Sequence, residues 1–160
     1  MTTQDEEFMT RAIELAEQAE KAGNLPIGAV LVCDGRIVAE GRNSIFKPEY
    51  NPSLHAEMGA MRSLTEADWK NRDKGITCYT TLEPCVMCAG TLAVVGIARI
   101  VYGAKDTEGG GCSIYQHLPK IFKQAGVPKV EGPLAAEKCD PLYERVKEIF
   151  GTSGNPPVGT

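Results

Sequence analysis

Between residues 5 and 22 the apolar positions Phe8, Met9, Ala12, Ile13, Leu15, Ala16 and Ala19 recur at helical spacing, with Glu6, Glu7, Glu14, Glu17 and Glu20 on the opposite side. This pattern predicts an amphipathic first helix with a solvated acidic face, ended by Gly23-Asn24. The periodicity then shortens. Residues 27–33 and 36–40 form two β-rich runs joined by Asp34-Gly35, a dipeptide that accommodates the positive φ of a tight turn, and they predict a hairpin. Gly28-Ala29 carry so little side chain that something is expected to approach the backbone there.

A loop with Asn43, Tyr50 and two prolines spans residues 42–52, a length at which loops are often functional. A second helix is predicted over 54–64, with Ser53 as its N-cap and Met58, Met61 and Leu64 inward. A polar stretch with Trp69 follows, and the pattern leaves that aromatic exposed, for an interface or a lid. A strand at 76–81 runs directly into a helix at 85–95, and another strand at 98–103 leads to a loop with Gly109, Gly110 and Gly111, expected to be mobile. Beyond it the pattern reads as one helix over 113–124 that packs Ile114, Leu118, Ile121 and Phe122, a short strand at 129–131 and a last helix over 134–150. The intervening helix requires the last two strands to be parallel. The sum is an α/β fold, one domain over 1–150, with a Gly/Pro/Ser-rich tail at 151–160 expected to be flexible.

Two stretches carry chemistry: His55-Ala56-Glu57, and Thr81 to Gly90, which contains Pro84-Cys85-Val86-Met87-Cys88. Cys85 and Cys88 stand three apart just after Pro84, a residue suited to the first turn of a helix. Both sulfurs then share one face at a positively polarised helix N-terminus, which favours the thiolate that metals need. Two thiolates and one imidazole form a soft set suited to Zn2+, and three protein ligands leave a fourth position for water, as in catalytic sites. Glu57 lies two residues beyond His55, roughly 200° around a regular helix, so the pair converges only at a helix entry. Other readings stand beside this one. A CxxC can be a thioredoxin-like redox pair, although that motif lacks the preceding Pro and leaves His55 and Glu57 without a task. A structural zinc site needs a fourth ligand, for which Cys78 and Cys112 are the nearby candidates.

Charge changes the picture less than the motifs do. The net charge is −4, from 17 basic and 21 acidic residues, and no run of Lys and Arg offers a footprint for a polyanion. No apolar run approaches the ~20 residues of a membrane span, and the acidic amphipathic N-terminus is unlike a secretory signal, so a cytoplasmic protein without a membrane partner is expected. Of the six cysteines, Cys33, Cys78 and Cys139 are expected to be buried small hydrophobes, with Cys112 exposed near the site.

His55-Ala56-Glu57 followed by Pro84-Cys85-Val86-Met87-Cys88 resembles the signature of the zinc-dependent cytidine and deoxycytidylate deaminase superfamily. The resemblance runs from about Asn24 to Phe150. The segments 25–32, 81–90 and 102–106 are most similar to bacterial tRNA adenosine deaminases, in a layout shared by cytosine and guanine deaminases. It implies a cytidine deaminase-like three-layer α/β/α sandwich around a five-stranded mixed sheet, and a homodimer. It also implies Zn2+ on His55, Cys85 and Cys88, Glu57 as the catalytic proton carrier, and substrate contacts from Ile27, Gly28, Asn43, Ala56, Glu83, Pro84 and Asp106.

Three functions fit: deamination of a small-molecule nucleobase or nucleoside, adenosine-to-inosine editing in a tRNA anticodon loop, and a non-catalytic zinc or thiol module. Motif wording favours tRNA. The acidic balance and a final helix of mixed charge favour the free base or nucleoside, and that reading is the expectation carried forward. Cytosine deaminases close their pocket with C-terminal aromatics, and Phe150 alone could do so here, which weakens cytosine as the specific base.

Overall fold

The computed structural model describes residues 1–150; the expected flexible tail lies outside them. The chain runs α1 (Thr3–Lys21), β1 (Gly28–Cys33), β2 (Arg36–Arg42), α2 (Ala56–Ser63), α3 (Glu66–Lys70), β3 (Thr77–Leu82), α4 (Val86–Val95), β4 (Arg99–Ala104), α5 (Lys120–Ala125), β5 (Lys129–Glu131) and α6 (Ala136–Phe150), with short 3-10 turns at Arg72–Lys74 and Cys112–Gln116. The five strands form one mixed sheet in the order β2-β1-β3-β4-β5. β1 is antiparallel to both neighbours, whereas β3, β4 and β5 run parallel, as the helical crossovers require. The Asp34-Gly35 turn has φ of 51° and 69°, the left-handed pair that joins a two-residue hairpin.

Two apolar clusters cover the two faces of the sheet. One gathers Met9, Ala12 and Leu15 of α1 with Cys139, Tyr143 and Val146 of α6 against Val30, Tyr79 and Val101. The other gathers Ala60 and Met61 of α2 with Ala89 and Leu92 of α4 against Leu31, Cys78 and Ile100. This is the three-layer α/β/α arrangement, and β1, fully buried along its length, reads as a continuous apolar run because both its faces are covered.

Two glycines set how closely the helices lie. A Cβ on Gly28 would collide with the Ala12 carbonyl oxygen and the Ala16 amide, so what approaches the backbone there is α1. A Cβ on Gly41 would strike the Ala56 carbonyl oxygen and the Ala60 amide. That contact seats the first turn of α2 on β2 and so fixes where His55 and Glu57 stand.

Several local expectations are corrected. Ser53 is not the α2 N-cap: its amide and hydroxyl both donate to Asn51 Oδ1, at 3.0 and 2.7 Å, and the cap position belongs to His55. Pro84 precedes the helix, because Cys85 is the N-cap of α4. The single helix expected over 113–124 is broken at Pro119, which has no N–H to continue it. Ile121, expected inside, is 69% exposed on the short α5. Trp69 packs against the α2–α4 cluster from α3. The acidic face of α1 is only partly free, since Glu20 accepts from both Arg145 Nε and Nη2 of α6, at 2.6 and 3.0 Å.

Nothing in the hydrophobic pattern points to Asp5 as an interior residue. It closes a capping box with Thr2, donating its amide and accepting from the Thr2 N–H, yet it is buried. Its Oδ1 accepts from the Tyr79 hydroxyl at 2.6 Å and from Arg99 at 2.7 Å. Arg99 also pairs with Glu131, so one guanidinium joins α1, β4 and β5.

Candidate metal centre and active site

β3 is the point where the sheet changes from antiparallel to parallel pairing, and in open α/β sheets ligands collect outside the carboxyl ends of strands at such a point. Leu82 and Ala104 end β3 and β4 side by side, and the Glu83 amide donates to the Ala104 carbonyl at 2.8 Å. The chain leaving β3 therefore enters α4 beside the loop that leaves β4.

His55 and Cys85 are the N-cap residues of α2 and α4. Two helix N-termini, each with unpaired N–H groups and a partial positive charge, thus converge on one point. The ligand atoms of His55, Cys85 and Cys88 all lie within 4.8 Å of one another, with Cys85 Sγ 3.5 Å from His55 Nδ1. Among the described residues, neither Cys78 nor Cys112 joins this set. Cys78 is fully buried, and Cys112 is half-buried against the α2–α4 cluster rather than exposed. Burial holds the Cys112 thiol up at about 12. The fourth ligand that a structural zinc site wants is missing from the set.

Glu57 sits in the first turn of α2, as the spacing requires, and is 3% exposed. The Thr80 hydroxyl of β3 donates to its Oε1 at 2.9 Å and the Cys88 thiol to its Oε2 at 3.4 Å. Burial pushes the Glu57 carboxyl above its usual range, so it holds a proton more readily than a surface carboxylate does. Cys85 goes the other way, down to about 4, first through the neighbouring Cys88 side chain and then, against burial, through His55. Cys88 is correspondingly raised. On His55 burial opposes the charged form, but Cys85 and Glu57 outweigh it and the ring is raised. The donor set is soft, compact and backed by two helix ends, and it fits Zn2+ with a fourth position left open.

A pocket of about 360 Å³ opens over this cluster, lined at its base by His55, Glu57 and Cys85. Of the other expected contacts, Ile27, Glu83 and Asp106 line it. Asn43, Gly28, Ala56 and Pro84 do not. Asn43 is fully buried, its Oδ1 accepting from the amides of Leu25 and Ile45 at 3.4 and 3.2 Å. Asn43 Nδ2 and Glu83 Oε2 are buried and have no hydrogen-bond partner among the described residues.

Asp106 is already engaged: its Oδ1 accepts from the amides of Glu108 and Gly109, at 3.0 and 2.8 Å, and from the Tyr143 hydroxyl at 2.7 Å. Glycine content predicts a mobile loop here, yet Gly111 N–H donates to the Pro84 carbonyl at 2.8 Å and Gly110 bridges Cys85. The far wall is the part that sequence reasoning mostly misses. Tyr143, Val146, Lys147 and Phe150 of α6 all line the pocket, at the i, i+3, i+4, i+7 spacing of one helix face. That spacing is visible in the sequence, but nothing in it tells a pocket wall from a core stripe.

The model of the cytidine and deoxycytidylate deaminase zinc-binding region matches residues 2–104. The chain is similar to a tRNA-specific adenosine deaminase of Haemophilus influenzae, 40% identical over 84% of this chain and 78% of the relative. It is also similar to one of Bacillus subtilis, 44% identical over 69% of this chain and 68% of the relative. A structure from a study of A-to-I editing by tRNA:A34 deaminases at the wobble position of transfer RNA superposes with a TM-score of 0.73. That match has 34% identity and covers 85% of this chain and 98% of the other.

Proposed function

We propose, because the chain belongs to the cytidine and deoxycytidylate deaminase family, that it hydrolytically deaminates adenosine to inosine within tRNA. The reaction class rests on one observation above all: a buried carboxylate, Glu57, stands beside a His55, Cys85 and Cys88 set that fits Zn2+. The substrate rests on the relatives named tRNA-specific adenosine deaminase, alike over most of both chains. This reverses the preference for a free base drawn from net charge, because charge summed over a chain says little about the few residues that meet an RNA loop.

Zinc bound to His55, Cys85 and Cys88 would supply an acidified water as nucleophile. Glu57 is placed to carry one proton from the attacking water to N1 of adenine as the hydroxyl adds to C6, and then to carry that hydroxyl's own proton to the amine, so that C6 becomes a carbonyl and ammonia leaves. Burial suits Glu57 to both tasks, because a carboxyl with a raised pKa gives up a proton as well as it accepts one. Thr80 fixes one of its oxygens, and the other faces Cys88 of the metal-binding set, the side on which protons are to be moved. Glu83 Oε2, which lines the pocket without a partner, provides an acceptor for substrate; leaving such a group unmet costs about 1–3 kcal/mol. Asn43, buried away from the pocket, acts through the Leu25 and Ile45 amides that it holds. Ile27 meets substrate from the pocket wall, while Gly28, Ala56 and Pro84 contribute from outside the pocket lining by seating the elements that carry it.

One observation favours a second reading. Around the pocket Glu83, Asp106 and Glu108 outnumber Lys147, and α6 closes its far side, which suits a neutral free base or nucleoside better than a polyanion. Ammonia release from an anticodon stem-loop bearing adenosine, run beside cytosine, guanine, adenine and their nucleosides, separates the two. Turnover of the stem-loop alone supports the first; turnover of free bases without the stem-loop overturns it. Residues 1–150 act as one catalytic domain in this reading, in the cytoplasm. In this reading the assembly is a homodimer, and the exposed Val86 and Val94 of α4 support it as apolar surface that a second copy would cover.

A further inference from the structure

We propose that Tyr143 is a positioning residue for the substrate pocket, fastening the loop after β4 to α6 through Asp106 before substrate arrives. The proposal rests on the deaminase reading above. Asp106, Glu108 and Gly109 of this loop line the pocket, and the loop goes on through Gly110 and Gly111. Consecutive glycines carry the largest backbone entropy of any residues, so a rim built on them is costly to order. Two of the three hydrogen bonds to Asp106 Oδ1 come from the loop's own amides and form a local turn. The third, from the Tyr143 hydroxyl at 2.7 Å, reaches across 37 residues of sequence.

Tyr143 is itself held firmly. It is 8% exposed, the Lys147 ammonium lies 4.8 Å from its ring centroid, and Lys147 is kept there by Glu144 at 2.7 Å. The other end of the loop is pinned to the metal side by Gly111 and the Pro84 carbonyl. Tyr143 is thus the clamp on the α6 side of a loop anchored at both ends. A rim ordered in advance spares substrate the entropy of ordering it, so the hydroxyl contributes to affinity, not to the chemical step.

The test uses the full zinc-loaded chain with Tyr143→Phe, Asp106→Ala and the double variant. Tyr143→Phe keeps the ring that packs against Lys147 and removes only the donor. On whichever substrate turns over, KM is expected to rise roughly tenfold, the worth of a hydrogen bond to a charged acceptor, with kcat unchanged. The double variant is expected to be no worse than Asp106→Ala alone, because one interaction cannot be lost twice. Amide exchange, which needs no substrate, is expected to speed up at Glu108 and Gly109 in Tyr143→Phe while protection in α4 stays as in wild type. Unchanged exchange in the loop overturns the proposal, as does a fall in kcat matching the rise in KM or a strictly additive double variant. If no nucleoside or RNA reacts, the proposed function fails while the exchange measurement still decides the role of Tyr143.

Discussion

The base of the pocket and its mouth are assembled in opposite ways. At the base, four side chains come from two stretches, residues 55–57 and 85–88, each at the entry of a helix. At the mouth the walls come from Leu25 and Ile27 before β1, Glu83 after β3, the loop after β4 and the last two turns of α6. A helix entry places ligands by local geometry, so a short motif suffices to specify the base. The mouth depends on contacts between segments as far apart as Leu25 and Phe150, and no motif encodes it. Reaction chemistry and substrate choice are thereby separated within one cavity.

Losing a ligand at the base should produce the largest effect. Cys88→Ala leaves two donors, and zinc content measured by mass spectrometry should fall together with all turnover. Retained stoichiometric zinc would mean that the motif alone does not define the base. Next comes Glu57→Gln, which keeps the ligands and should lower kcat by about 10²–10⁴-fold, the usual worth of a positioned acid–base group, at undiminished zinc content. A variant that turned over normally would remove Glu57 from the reaction.

Outside the pocket, Arg99→Ala should cost about 2–4 kcal/mol of stability, because Asp5 would keep its burial and lose its cation. Denaturant unfolding would measure it, and KM should not change. The same pair sets an acid limit. Donation from Arg99, against burial and aided by Tyr79, holds the Asp5 carboxyl well below its usual range. A carboxyl whose folded pKa is depressed stabilises the fold fully above its unfolded value of about 3.9, and that contribution is lost as pH falls through the folded value. Wild type should therefore lose more Tm than Asp5→Asn on acidification below about pH 4. Equal losses would show that the pair contributes nothing. The smallest effect is expected on α5, where Ile121→Ser, on a side chain already in solvent, should change stability by less than about 0.5 kcal/mol and leave activity intact.

Much of the fold and of the pocket base is legible in the order of residues. Asp34-Gly35 announces the hairpin, the apolar runs announce the strands, and the His55-to-Glu57 spacing demands a helix entry, which α2 provides. Other features are legible but easily misjudged: Pro119 lacks the N–H of a helix interior and the helix over 113–124 breaks there, whereas Pro141 is carried inside α6. Asp5 reads as one more acid at a helix start, and nothing in its neighbours announces that Tyr79 and Arg99, 74 and 94 residues away, draw it inside. Gly28 reads as a place for substrate, whereas the space belongs to α1.

By itself the sequence determined the strands, the helix entries and the identity of the atoms that can hold zinc and move a proton, because these depend on residues within a few positions of one another. The tertiary structure alone decided that two helix N-termini meet at one point, that α6 forms the wall opposite them, and that Asp106 spends its oxygen on Tyr143. Contacts of that range are set by how whole helices pack on the sheet, where each side chain's place depends on the position of every other.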